Sequence, residues 1–281
     1  MRITTNVSSL QAQEAATNTN STLASSLEKL STGLRINKAS DDASGLAIAD
    51  KLRTEASGLS QSIENGNSAV SLTQIADKAM AEQSNILDTI KSKLIQAATA
   101  TTSDDGREAI AKDVNKLLEQ LDNIASQTKY NGTVLLQGSG AGASSLTFQM
   151  GVNSGETIDT VSGTRANVSG LGLSGLNATA GSASAFNASA ASGFMDVVDS
   201  ALNTLNGWRA DFGSTQNQLE SAIRNQMTQK TNIEAAESVI RDVDYAAESA
   251  NFNKQNINSQ AGSYAISQAN SIQQNVLRLL Q

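Results

Sequence analysis

Residues 31–53 read STGLRINKASDDASGLAIADKLR. Leu23, Leu27, Leu30 and Leu34 run into this stretch at spacings of four, three and four, the period of a helix with one narrow apolar seam. Gly33 and the polar residues after it break the period, and helical character resumes within the same stretch. The interruption is either an active-site loop or a structural joint. Asp41 and Asp42, with Asp50, fit a helix start, because the unsatisfied amides of a first turn favour carboxylates. A metal site fits poorly: hard cations take about six oxygen ligands, and the EF-hand spacing is absent. Gly33 and Gly45 enclose polar residues, but the lysine and hydroxyl of a phosphate-binding loop are missing.

Working outward, Ile3, Val7 and Leu10 place the same seam near the start of the chain. Past the interruption, Leu52, Leu59, Ile63 and Val70 form one stripe, and Ile86, Leu87, Ile90 and Leu94 extend the apolar supply to residue 100 or so. Ser103 or Asp104 can cap a third helix, in which Ile110, Val114, Leu117, Leu121 and Ile124 keep the period; it should stop before Asn131-Gly132. Asn65-Gly66 is elsewhere a hairpin signal. Its flanks are helix-periodic here, so a continuous helix is expected, with a glycine costing about 1 kcal/mol.

The middle of the chain is different. Residues 138–193 hold eleven of the twenty glycines, and Glu156, Asp159 and Arg165 are their only charged residues. SLTFQMGVNSGETIDTVSG, residues 145–163, sets Leu146, Phe148 and Met150 on one side, turns at 153–155 and continues through Ile158 and Val161, which predicts a β-hairpin near 145–162. Residues 166–192, mostly Ala, Ser, Gly and Asn, read as a short exposed variable loop.

Helical period returns with Phe194, Val198, Ala201, Leu205, Trp208 and Phe212, whose aromatic members are expected in a core. It continues through Leu219, Ile223 and Ile240. Ile257, Ala261, Tyr264, Ile272, Val276 and Leu279 carry a seam to the end of the chain. The pairs Glu28-Lys29 and Arg241-Asp242 read as decoration of solvated faces. Two seams at opposite ends are covered most simply by pairing them. The expected fold is mainly α, with N- and C-terminal segments forming long antiparallel helices or a coiled coil and a small β-hairpin region in the middle.

Composition narrows the function. Hydrophobic residues are 39% of 281, much of that alanine, and aromatics are 3%, so a compact monomer would be weakly stabilised. A formal charge of −7 without clustered Lys and Arg argues against nucleic acid. The chain has no cysteine and no histidine, which removes disulfides, thiolate metal sites and the commonest general base. No enzyme and no cofactor are expected. The amino-terminal MRITTNVSSLQAQEAATNTN lacks the apolar core of a cleaved signal, and no apolar run is long enough to span a membrane, so by ordinary routes the protein would be cytosolic.

The stretch LSTGLRINKASDDASGLAIADKLR, the ending SQAGSYAISQANSIQQNVLRLLQ and, between them, TKYNGTVLL and LTFQMGVNSGETI resemble bacterial flagellin over about residues 1–165 and 194–281. The resemblance implies a filament subunit with a terminal-helix filament-core domain, 1–42 with 245–281, and a rod-like helical domain, 43–165 with 193–244. Arg35, Asp41 and Asp42 become interdomain joint residues. Ile3, Val7, Leu10, Leu23, Leu27, Leu30, Leu34, Ile257, Tyr264, Ile272, Val276 and Leu279 become the assembly seam. Export unfolded through the flagellar type III channel is implied, and with it a secreted, extracellular location, so the missing signal no longer means cytosol. Implied partners are copies of the same chain, an export chaperone at the C-terminal helices, and cap and junction proteins; nucleic acid and membrane are not among them.

Flagellins sensed by the vertebrate Toll-like receptor carry a Leu-Gln-Arg-Val-Arg-Glu-Leu-like run. The matching positions here are Leu87 to Lys93. Thr89 replaces an arginine, Lys93 brings a charge, and Asp113 stands where those proteins have glutamate, so the resemblance implies weak innate-receptor binding. A hook–filament junction protein is the alternative within the same machinery. An adhesin or secreted coiled coil would have to cover both seams without forming a tube, and a zinc protease carried on the scaffold would need histidines.

Overall fold

The computed structural model describes residues 5–137, 145–160, 164–182 and 186–279; of residues 273 and 276–279 only the backbone is described. Ile3 and Val161 therefore lie outside the described residues, as do the side chains of Val276 and Leu279. The elements are α1 (Val7–Thr32), α2 (Ala43–Ala98), α3 (Asp104–Gln127), β1 (Lys129–Tyr130), β2 (Thr133–Val134), β3 (Thr147–Gln149), β4 (Thr157–Asp159), α4 (Ser174–Ala180), α5 (Ala188–Arg241) and α6 (Tyr245–Leu279). The architecture is mainly α, with two small antiparallel hairpins, β1–β2 and β3–β4. Two compact units divide the chain, residues 1–56 with 231–281 and residues 57–230. The division falls inside α2 and α5, whereas the sequence reading sets its boundaries at the ends of those helices.

The unit 57–230 has a true core. Met80, Leu87, Ile90 and Leu94 of α2, Leu118 and Leu121 of α3, and Leu205 of α5 are all less than 2% exposed. Burying each such side chain contributes about 1.5–3 kcal/mol. The buried stripe of α3 runs through Ile110, Val114, Leu118, Leu121 and Ala125. Leu117 and Ile124, expected on that stripe, are only partly buried: a helix covered from two sides centres its face between neighbouring rows. Ser103 caps α3 by accepting the Gly106 amide at 3.2 Å.

Helix α2 passes through Asn65-Gly66 without a break. A Cβ on Gly66 would lie 2.8 Å from both Met150 and Ile223, so the glycine lets the β3–β4 hairpin and α5 approach the helix backbone. That hairpin pairs Phe148 with Ile158 and seats Met150 in a small cluster with Ala69, Leu219 and Ile223. The second hairpin turns at Asn131-Gly132, which the sequence reading used only as a helix stop.

The expectation of an exposed loop over residues 166–192 is overturned. Ala166, Val168, Leu171, Leu173, Leu176, Ala180 and Phe186 are buried, and α4 packs on α3. Low average hydropathy hid a handful of large side chains at positions that all face one way. Backbone bonds fix the segment: Asp122 accepts the Val168 amide at 2.7 Å, and the Ala166 amide donates to the Leu136 carbonyl at 2.9 Å. Gln83, fully buried, donates from Nε2 to the carbonyls of Leu121 at 3.1 Å and Ala166 at 2.6 Å.

Candidate functional site

The unit 1–56 with 231–281 is built on an antiparallel pair, α1 and α6. Along α1 the sheltered positions are Ser9, Ala12, Ala16, Thr19, Leu23, Ser26 and Leu30, again at spacings of three and four. Most are small. Their counterparts on α6 include Asn251, Ser259, Gly262, Ile266 and Ala269. A Cβ placed on Gly262 would sit 3.6 Å from the Ala16 methyl, so the helix backbones run close together. Polar side chains stitch the pair: Asn6 Nδ2 donates to the Ala269 carbonyl at 3.2 Å, Ser259 Oγ to Asn20 Oδ1 at 2.7 Å and Asn251 Nδ2 to Ser26 Oγ at 3.4 Å.

With small residues turned inward, the larger apolar ones turn out. Val7 is 53% exposed, Leu10 55%, Leu27 56%, Ile257 66%, Tyr264 76% and Ile272 55%. Leu23, Leu30 and Leu34 are half-buried. Of the twelve seam positions inferred from sequence, the nine whose side chains are described divide between sheltered and outward-facing positions and are not gathered on one stripe. Ser26 is the only fully buried residue of α1. The pair has little hydrophobic burial of its own, and its outer face holds several side chains that would each gain about 1 kcal/mol or more if covered.

The interruption at 33–42 is a hydrogen-bonded connector inside this unit. Gly33 ends α1 in the left-handed conformation, φ 76°, and its amide donates to the Lys29 carbonyl. A Cβ there would lie 2.8 Å from the Tyr245 hydroxyl. The chain then runs beside residues 240–243: the Arg35 amide donates to the Arg241 carbonyl at 2.6 Å and the Val243 amide to the Gly33 carbonyl at 3.0 Å, flanking the Leu34–Asp242 bridge. Arg35 Nη2 donates to the Ile240 carbonyl at 2.6 Å, giving a cation to the C-terminal end of α5.

Ile36 is buried, and the carboxylates of both aspartates are occupied by backbone amides. Asp41 Oδ2 accepts from Asn37 at 3.1 Å and Lys38 at 3.0 Å; these bonds hold its carboxyl below the ordinary range. Asp42 Oδ1 accepts the Gly45 amide at 2.9 Å and starts α2. Lys38 reaches Glu28 at 2.7 Å, which raises the ammonium pKa. Asp244 Oδ1 accepts the Ala246 and Ala247 amides, at 2.9 and 3.1 Å, and caps α6.

Arg241 corrects a sequence expectation. Read as decoration of a solvated face, its side chain is 17% exposed and lies 3.7 Å from Glu237, itself 19% exposed, while Asp242 accepts from Ser238 at 2.7 Å. The backbone of residues 240–243 is the second half of the connector; Arg241 is drawn in with it, and Asp242 stays exposed. Sequence reasoning missed this half, and missed the inner stripe of small residues, whose signal was the same three–four period written in Ser, Ala, Thr and Gly.

The receptor-region positions do not share one face. Leu87 is fully buried, Thr89 is exposed and bonded to the Asn85 carbonyl at 2.9 Å, and Lys93 pairs with Asp113 at 3.0 Å.

Comparison with known proteins matches residues 3–141 to the bacterial flagellin N-terminal helical region and residues 195–280 to the C-terminal helical region. The chain is 36% identical to flagellin of Bacillus subtilis, covering all of both chains. It is 35% identical to the flagellar filament 33 kDa core protein of Treponema phagedenis, again over the whole of each. A solved structure from Vibrio parahaemolyticus, assigned as a flagellar hook-associated protein, shares the fold with a TM-score of 0.60 over 72% of this chain and 99% of that one, at 14% identity.

Proposed function

The chain belongs to the bacterial flagellin family, and on that premise we propose that it is a structural subunit that self-assembles into the bacterial flagellar filament. The observation that carries this reading is the inversion in the α1–α6 pair. Small residues face each other within the subunit, and Val7, Leu10, Leu27, Ile257, Tyr264 and Ile272 face out. An identical subunit presenting the same pair supplies matching apolar surface, and repetition of a head-to-tail contact yields an open helical polymer.

In this reading residues 1–42 with 245–281 form the filament core, and residues 43–165 with 193–244 form the rod outside it. The connector made by Arg35, Asp41 and Asp42 with residues 240–243 transmits load between them. The chain leaves the cell unfolded through the flagellar type III channel, and its filament serves as a propeller for swimming. An export chaperone binds the C-terminal helices before secretion, and cap and junction proteins meet the filament ends. Recognition by the innate receptor is weak, because Thr89 offers no cation and Lys93, paired with Asp113, puts a charged side chain where an apolar one is needed.

The test is polymerisation of the purified chain, seeded and followed by electron microscopy, beside a chain lacking 1–42 and 245–281. Long tubes from the intact chain alone support the reading. Tubes from both, or from neither, overturn it.

A further inference from the structure

Three Asn-Gly dipeptides occur in the sequence, at 65–66, 131–132 and 206–207. Asparagine followed by glycine is the pair most open to hydrolytic self-modification, since the absent side chain leaves the backbone nitrogen free to approach the asparagine amide. The fold treats the three very differently. Asn65-Gly66 lies within α2 and Asn206-Gly207 within α5, where each glycine amide is committed to the carbonyl four residues earlier. Asn65 is held further: it accepts from Gln61 at 3.2 Å and donates to the Gln149 carbonyl at 3.5 Å.

Asn131-Gly132 instead forms the two central residues of a hairpin turn, with φ 48° and 84°. Both are exposed, and a Cβ built on Gly132 meets nothing within 4 Å. The amide of the second central residue of such a turn stands outside the ladder. The flanking strands pair Lys129 with Val134 and Tyr130 with Thr133, and one more bond runs from the Leu135 amide to the Thr128 carbonyl at 3.1 Å, so opening the turn at its tip disrupts little structure. Exposure alone does not separate the sites, because Asn206 and Gly207 are exposed as well; helical hydrogen bonding does.

We propose that Asn131 is a site of spontaneous deamidation, chosen from three chemically equal dipeptides by the fold. The Gly132 nitrogen loses its proton to solvent base and attacks Asn131 Cγ. The N–Cγ bond forms, the Cγ–Nδ2 bond breaks, and the leaving nitrogen takes a proton from water and departs as ammonia. One water then opens the resulting cyclic imide at either carbonyl. One product is an ordinary aspartyl residue and the other a β-linked one; each adds a negative charge. The β-linked backbone is one methylene longer, which a two-residue turn cannot hold in register. The ladder that leads to buried Leu135 and Leu136 is then lost at its tip.

The experiment incubates the full-length protein in mildly alkaline buffer made with heavy-oxygen water and follows label at each site by peptide mass spectrometry. Conversion at Asn131 is expected to exceed that at Asn65 and Asn206 by more than about tenfold in the native protein, and the three rates should converge in concentrated urea. Equal native rates, a lead at Asn206, or a difference that persists in urea would each overturn the proposal. An Asn131→Gln variant should lose the early release of ammonia; unchanged release would overturn it independently.

Discussion

The two units of the subunit are built from helices of comparable sequence, yet they hide opposite things. In the unit 57–230 the large apolar side chains are inside: Leu87, Ile90, Leu94 and Leu121 are fully buried. In the α1–α6 pair Val7, Leu10, Leu27, Ile257, Tyr264 and Ile272 are outside, and the helix contact is filled mostly by alanine, serine, threonine and glycine beside Leu23, Leu30 and Ile266. The first unit covers most of its own hydrophobic surface, although Ile75, Ile95, Val152 and Met227 stay exposed. The second pairs its helices closely through small residues and polar bonds, and leaves much of its apolar surface exposed. Charge follows the same division: α6 carries Glu248, Lys254 and Arg278 as its only charged residues, so its copies can approach without strong repulsion.

The sharpest way to break this comparison is to truncate one leucine in each region. Leu87→Ala should destabilise its unit by about 2–5 kcal/mol, measured by urea unfolding, because a buried methyl cluster is replaced by a cavity. Leu10→Ala should change subunit stability by less than about 0.5 kcal/mol. Similar losses at the two positions would mean that the outer face is already covered within the subunit.

Next in size is Gly33→Ala. Forcing a side chain into the left-handed region costs about 1–2 kcal/mol, and here it also meets the Tyr245 phenol. Thermal unfolding of the terminal unit should shift down while that of residues 57–230 holds. A smaller effect, about 1 kcal/mol per subunit, is expected from Leu10→Ala or Ile257→Ala on assembly itself, read as a rise of several-fold in the critical concentration for polymer.

The smallest effect is on pH. The Asp41 carboxyl is held down by the amides of Asn37 and Lys38, so its contribution is present above the unfolded value of about 3.9 and is lost as pH falls through the lower folded value. The protection of those two amides, their hydrogen exchange measured against the unstructured rate at the same pH, should fall as the solution is acidified through that window. Lys38, raised by Glu28, has the opposite sign: its contribution is present below the ordinary lysine range and is lost as pH rises through the folded value.

Much of this was legible in the sequence where period and capping chemistry agree. The five long helices, the Ser103 cap, the hairpin at residues 147–159 and the helix start at Asp42 follow from local rules. What escaped was set by contacts distant in the chain. Gly66 reads as a cost until Met150 and Ile223 are seen against it. Residues 166–192 read as a loop because composition averages away the five large side chains, Val168, Leu171, Leu173, Leu176 and Phe186, that α3 and its neighbours cover. The seam at the termini was visible as spacing. Which residues faced the partner helix was not, since leucine and alanine stripes have the same period and differ by about one residue in phase.

Asn6, the N-cap of α1, bonds Ala269 on α6 across 263 positions of the chain. Contacts so remote in order form late, because loop-closure entropy must be overcome before they add any stability. Whenever the polypeptide is delivered end first, the opposite terminus arrives last, and the adhesive surface stays incomplete until it does. Pairing of the two terminal helices thus waits on both ends of the chain.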